Sequence, residues 1–442
     1  MYNMTILTIV RKVVLYLTII ISASVLFVTN LFASELYDLC YRADPLNNGK
    51  ILFLRHRNPM LDPVIRTYEI HLFDPLTGNL SYLQRYQELI YIPPVISRDR
   101  TSMVYHSIIE GTDFLVIKNI ETGRSTRLRF DTGGYFVTLG LDYDNDTVAA
   151  VIKRGENKQA VYLISNRAST IRRILNGTNF IEIGFLDNRN IYYVEMIDGR
   201  KVLSFTNERR RSGIEIAEGV DYVQKAPNGD AILYSKGKDL YLFRVNGKES
   251  INLSNNFNRE NYPPIFSSDG STLALFENDV IHIVNVSSGD ILYYLSMNTE
   301  NITTFLTNYT LYIAKDNKVF NLKHKKPGQS LMELYEDDSQ IHILSISPDD
   351  RYLVYQKKNN REVIIFDFKE NKHFIKELGF MVQRVIFPLS GDSFYVILLN
   401  DSGKDRIPVR ELYLYNFKKE SIFAISALTN TDIKLYFRKN NL

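Results

Sequence analysis

Apolar residues in this chain come in short clusters that end in polar turns, and the same cluster returns at a near-constant interval. Within Ser345–Gln356 an apolar stretch stops at Ser347-Pro348-Asp349-Asp350-Arg351, and Tyr352-Leu353-Val354-Tyr355 follows at once. Pro fixes φ in such a turn, and Asp caps free backbone N–H groups with its side chain. The pattern recurs as Phe387-Pro388-Leu389-Ser390-Gly391-Asp392-Ser393-Phe394 and as Phe266-Ser267-Ser268-Asp269-Gly270-Ser271-Thr272-Leu273. The first apolar residue after each polar turn is Ile51, Met103, Val148, Ile191, Ile232, Leu273, Leu311, Leu353 and Phe394. Their successive spacings are 52, 45, 43, 41, 41, 38, 42 and 41. A sustained period near forty residues is the length of a propeller blade.

A second turn recurs roughly twenty residues into a unit, as in Asp74-Pro75-Leu76-Thr77-Gly78, Asn119-Ile120-Glu121-Thr122-Gly123 and Asn285-Val286-Ser287-Ser288-Gly289. Its glycine supplies the left-handed position of a hairpin. Each unit therefore predicts four short antiparallel strands. One such sheet cannot bury both of its faces, whereas radial stacking of neighbours does so. The expected fold is all-β: a single β-propeller of about eight to nine four-stranded blades over residues 35–442. The unit around Leu311 keeps only Asn308 of the turn, and the first spacing of 52 is long, so the count stays at eight or nine. The strand Asp432-Ile433-Lys434-Leu435-Tyr436-Phe437 follows the last complete meander. It is expected to pair with the first blade, because closure removes two exposed sheet edges.

Composition agrees with this reading. The 442 residues include 29 Tyr and 25 Phe but no Trp, and no long stretch shows helical periodicity. Tyr and Phe favour half-buried pleated surfaces. The net charge of +3 gives no electrostatic pull toward nucleic acid. A lone cysteine, Cys40, excludes an intrachain disulfide and any C-x-x-C motif. Residues 1–34 stand apart. Arg11 and Lys12 precede an uncharged run from Val13 to Val28, and Thr29–Ser34 closes it before Glu35. This is the layout of a signal peptide cut near Ala33 or Ser34. The alternative is an uncleaved anchor, since Val13–Ser34 is 22 uncharged residues, long enough to span a bilayer. Either version places the folded part outside the cytoplasm, in the periplasm or secreted, with membrane contact only through this segment.

The units Ser347–Tyr355 and Ser268–Phe276 resemble the WD40-like repeat of TolB-type propellers, in which a Ser-Pro-Asp-Gly turn leads into an apolar strand. The resemblance concerns the propeller part alone, without the α/β domain that precedes it in TolB. It implies the fold and leaves function open, because the motif is a turn device. Similar propellers precede the hydrolase domain of prolyl-oligopeptidase-type peptidases, but this chain has no G-x-S-x-G elbow.

Few residue patterns carry chemistry. Asp142, Asp144 and Asp146 alternate as in a calcium loop and are the candidate metal ligands. Thr147 and Lys153 stand where an EF-hand needs Gly and Glu. The histidines His56, His71, His106, His282, His324, His342 and His373 show no short metal spacing. His56 and His106 follow equivalent strands in neighbouring units, a placement similar to the His-lined metal site of some pectin-degrading lyases with propellers. Glu208-Arg209-Arg210-Arg211 and Lys323-His324-Lys325-Lys326 read as solvated hairpin loops. The expected role is an exported, non-catalytic platform for an envelope or periplasmic protein partner, with no cofactor. The alternatives are a polysaccharide lyase or hydrolase, or a small-ligand binder, using the central channel.

Overall fold

Each sequence period becomes one antiparallel meander. The computed structural model describes residues 42–425 except 47–48, 58–65, 89–93, 98, 110–111, 130–135, 144–146, 155–157, 166–169, 187–189, 208–211, 256–262, 278, 301, 326–329, 358–361, 379–380, 388–392 and 401–408. These residues form nine four-stranded sheets and no helix. The sheets are blades one (42–88), two (95–129), three (136–177), four (180–218), five (222–254), six (265–296), seven (302–336), eight (341–377) and nine (381–424). No described helix is long and apolar enough to cross a membrane.

The nine residues used to align the repeats all stand first or second in the second strand of a blade, and every one is 0% exposed. Burial follows the period of two that a strand imposes on its side chains. In Thr147–Arg154, Val148, Ala150 and Ile152 join Val104, Leu115 and Ile117 of blade two. Ala149 and Val151, on the opposite face, join Ile183, Phe185 and Tyr193 of blade four. The same division holds all the way round, so each of nine apolar clusters fills the gap between two neighbouring blades. One of them unites Ile51, Phe53 and Phe73 of blade one with Tyr395, Ile397 and Leu412 of blade nine. Phe73 meets the rings of Tyr395 and Phe423 at 6.5 and 6.4 Å, and the Tyr395 hydroxyl donates to the Gly49 carbonyl at 3.1 Å. Among the described residues, blades nine and one are therefore joined by face-to-face packing. Blade one draws all four strands from residues 42–88. The strand expected at Asp432–Phe437 lies outside the described residues.

The repeated turn joins the first and second strands, and its chemistry explains its sequence. The hydroxyls of Ser97, Ser267 and Ser347 donate to Asp99, Asp269 and Asp349 at 2.5, 2.7 and 2.6 Å. The same oxygens accept from the backbone N–H of Ser102, Thr272 and Tyr352 at 3.0, 3.0 and 2.8 Å. The residue after each Asp is left-handed: Arg100 (φ 56°), Gly270 (φ 69°) and Asp350 (φ 56°). Blade seven lost the motif because its turn is two residues tighter. Thr307 Oγ1 accepts from the N–H of Thr310 at 3.0 Å and does the serine's work. The long first spacing comes from the residues between strands: eight separate Arg57 from Arg66 and six separate Glu88 from Val95, against three and two at the equivalent places that follow Thr147–Arg154 and Thr170–Gly177.

These turns also touch one another across blades. Arg100 donates to the Pro45 carbonyl at 3.0 Å. Asn308 Oδ1 accepts from the N–H of Asp269 at 2.8 Å, and Thr307 Oγ1 donates to Asp350 at 3.1 Å. Gly229 (φ 79°) lies against the Leu186 carbonyl, and Gly270 against Asn228. One face of the ring is thus a stitched belt of turns. At the hub, first strands of neighbouring blades contact each other and line the central channel.

Candidate functional site

Two places gather polar side chains from several blades. The first is the channel wall. Asp142, at the end of blade three's inner strand, accepts from the N–H of Phe185 in blade four at 2.6 Å and from Lys225 Nζ in blade five at 2.8 Å. One carboxylate thus ties three blades. Beside it, Tyr192 donates to Glu182 at 2.8 Å, and burial first, then Glu182, pushes the Tyr192 phenol well above its usual range. Asp144 and Asp146 lie outside the described residues. Among the described residues no group of three His, Cys, Asp or Glu stands close enough to hold a metal ion.

The histidines do not converge. The side chains of His56 and His106 are outside the described set, as is Cys40. His71 is buried in blade one, 3.3 Å from Glu69 and stacked on Phe53. His373 packs between Phe366 and Tyr335 at 4.6 and 4.7 Å, and His342 lies on the inner strand of blade eight. In the run at 323–326 the described lysines Lys323 and Lys325 are exposed, as the solvated-loop reading expects, while His324 turns inward and is only 2% exposed. Glu208–Arg211 fall outside the described residues.

The second place is a cleft of about 670 Å³ on the stitched face. Its walls are the turn at 228–230 of blade five, the two turns of blade six at Gly270–Thr272 and Asn285–Ser287, Leu292 and Tyr293 on blade six's outer strand, and His324 and Lys325 of blade seven. The walls are fixed. Asn285 Oδ1 accepts from the N–H of Ser287 at 2.9 Å, and Arg244 of blade five donates to the Ser287 carbonyl at 2.8 Å. Lys325 pairs with Asp269 at 2.9 Å and sits 5.0 Å over the Tyr309 ring. Burial works against the Asp269 carboxylate, but hydrogen bonds from Ser267, Lys325 and Ser271 hold its carboxyl well below the usual range. Burial, and then Lys325, push His324 below the usual imidazole range.

No family model matches the chain, and no curated protein matches it. Solved structures do. TolB from Acinetobacter baumannii is 14% identical with a TM-score of 0.35, over 55% of this chain and 62% of that one. The tricorn protease is 13% identical with a TM-score of 0.28, over 88% of this chain and 44% of that one. An oligogalacturonate lyase from Vibrio parahaemolyticus is 14% identical with a TM-score of 0.40, over 73% of this chain and 86% of that one. The chain spans less than two thirds of the TolB and tricorn structures. At these identities and TM-scores the β-propeller rests on the chain's own nine four-stranded blades and not on these likenesses.

Sequence reasoning singled out Asp142 and missed its partner, which lies two blades away. It also missed the cleft, whose walls come from turns about forty residues apart. The repeat period itself was the usable signal, since equivalent turns of successive blades must be neighbours on one face.

Proposed function

We propose that this protein is an exported, non-catalytic β-propeller that serves as a rigid platform for an envelope or periplasmic protein, and that the partner docks on the outer edge of blade six. The observation that carries the reading is the composition of that edge. Outer strands end each sheet and leave a row of unpaired backbone groups, which natural proteins protect with charges. Seven of the nine outer strands here carry charge, for example Thr170–Gly177 (TIRRILNG) and Lys372–Glu377 (KHFIKE). Ile291–Ser296 (ILYYLS) carries none, and it exposes Ile291 at 53% and Tyr294 at 75%. The other uncharged outer strand, Ser421–Ala424 (SIFA), tucks Phe423 into the cluster between blades nine and one. An uncharged strand with exposed apolar side chains suits addition of a partner strand, backbone bonds giving affinity and alternate side chains giving specificity.

A photo-crosslinking residue placed at Tyr294 in the native host tests this, with the same probe at the exposed Tyr82 of blade one as control. The expected result is one partner adduct from position 294, absent at 82 and abolished by Ile291→Lys. Identical adducts from both positions, or an adduct indifferent to Ile291→Lys, would overturn the assignment.

A further inference from the structure

The chain contains the pairs Asn48-Gly49, Asn176-Gly177, Asn228-Gly229 and Asn246-Gly247. An asparagine followed by glycine is open to an intramolecular reaction. The glycine nitrogen bonds to the side-chain carbonyl carbon of the asparagine, and ammonia leaves. The resulting succinimide takes up water and opens to aspartate or isoaspartate. Glycine permits this because no Cβ blocks the approach and its backbone turns freely. The fold then decides which pair reacts, since the nitrogen must be free and the side chain must be able to swing over it.

Asn48 lies outside the described residues. The other three pairs are held very differently. Asn176-Gly177 ends the outer strand of blade three, in register with Ala160 and Gln159, and Phe180 and Glu195 fill the space beside Gly177. Ladder pairing and that packing keep its main chain extended. In Asn228-Gly229 both reacting groups are engaged. The Gly229 N–H donates to the Ala226 carbonyl at 2.9 Å. Asn228 Oδ1 accepts from the N–H of Asp230 at 3.1 Å, and its Nδ2 donates to the Asp230 carboxylate at 2.9 Å. Gly229 also lies against the Leu186 carbonyl, so its peptide cannot rotate. Asn246-Gly247 is the tip of the hairpin between Asp239–Arg244 and Glu249–Ser254 in blade five, and Asn246, Gly247 and Lys248 are all exposed. The loop is closed only at its base, where the Lys248 N–H donates to the Arg244 carbonyl at 2.8 Å. Among the described residues no hydrogen bond holds the Asn246 amide or the Gly247 N–H. The atoms nearest the open side of Gly247 belong to the flexible side chain of Glu249.

We propose that Asn246 is a site of spontaneous deamidation in the folded protein, converted with water to aspartate and isoaspartate while Asn176 and Asn228 persist. An isoaspartate lengthens the main chain between Arg244 and Lys248, the two ends of the bond that closes the loop. Either product adds a carboxylate to the hairpin whose Arg244 donates to the Ser287 and Ser288 carbonyls of blade six. The age of the chain is thus marked at the seam of blades five and six. The reaction is read by mass and is independent of any docked partner.

The test is to incubate the purified full chain at mildly alkaline pH in heavy-oxygen water, folded in one arm and in urea in the other. Peptide mass spectrometry then follows the amide-to-acid mass gain, and the heavy label separates conversion during incubation from conversion during digestion. In the folded arm Asn246 is expected to convert at least about tenfold faster than Asn176 and Asn228. In urea the three are expected to converge, because each is then a free Asn-Gly pair. Gly247→Ala is expected to slow the folded reaction about tenfold, since a Cβ obstructs the nitrogen, and the Glu249 side chain can move aside for it. Asn246 remaining intact in the folded chain, Asn176 or Asn228 reacting there as fast as Asn246, or an unchanged rate in Gly247→Ala would overturn the proposal.

Discussion

Gly229 offers a sharp test of the stitched belt, because the same substitution can be made at positions that differ in one respect only. Gly199, Gly270 and Gly229 have φ of 77°, 69° and 79°, so an alanine at each suffers the same left-handed penalty, about 1–2 kcal/mol. Their surroundings differ. A Cβ on Gly199, in the hairpin loop of blade four, meets nothing within 4 Å. On Gly270 it meets Asn228 at 2.7 Å, both side chain and backbone nitrogen. On Gly229 it falls on the backbone carbonyl of Leu186, in the turn of the preceding blade. Backbone cannot swing aside as a side chain can, so blades four and five must separate. Overpacking adds about 1–3 kcal/mol where the surroundings give and more where they do not. The expected losses in stability are therefore about 1–2 kcal/mol for Gly199→Ala, about 2–3 for Gly270→Ala and at least about 3 for Gly229→Ala. Urea unfolding midpoints at constant slope give the ranking. Hydrogen exchange localises it: Gly229→Ala is expected to deprotect the strands that carry Leu203, Phe205, Ile232 and Tyr234, which fill the gap between those two blades. Losses that agree within about 0.5 kcal/mol across the three variants would refute the claim that the turns pack across blades, since the shared φ penalty would then be the whole effect.

Asp350 is held in the left-handed region at the boundary of blades seven and eight, and burial pushes its carboxyl above the ordinary 3.8 despite hydrogen bonds from Thr307 and Thr310. A raised pKa in the folded state means that the stabilising form is the protonated one. That contribution is complete below 3.8 and is lost as pH rises through the folded value. Asp350→Asn is accordingly expected to raise the urea midpoint at neutral pH, with the gain disappearing at acid pH; a gain that persists there would contradict the sign. The Asp142–Lys225 pair is half-shielded on the channel wall. A double-mutant cycle with Asp142→Asn and Lys225→Met is expected to give a coupling of about 0.5–1.5 kcal/mol that shrinks in high salt, and a coupling of zero would mean the contact between blades three and five does no mechanical work.

The repeat architecture was legible because its signal is local. A strand of alternating burial, a turn with a hydroxyl and a carboxylate, and a left-handed fourth position recur in every good unit, and all nine alignment residues lie at equivalent buried sites. Even the degenerate unit was placed correctly, since Leu311 is fully buried. The contacts that build sites were not legible. Asp142 meets Lys225 and Phe185 through the curvature of the ring, which sequence spacing does not encode. His324 looked exposed because lysines flank it. A single turned-in residue in a basic run has no periodic signature, and only the neighbouring Thr307 carbonyl shows why it is inside.

The packing of blade nine on blade one has a consequence for biogenesis. During synthesis the first meander emerges hundreds of residues ahead of its final neighbour, and until then the side bearing Ile51, Phe53 and Phe73 has nothing to cover it. Such a nascent chain presents a sticky, strand-rich surface for most of its translation, and joining distant ends is the slow, entropically costly step of folding. Among the described residues that seam is held by side-chain contact, with no peptide link between its two meanders, so chaperone dependence and proteolytic nicking should both be sought there first.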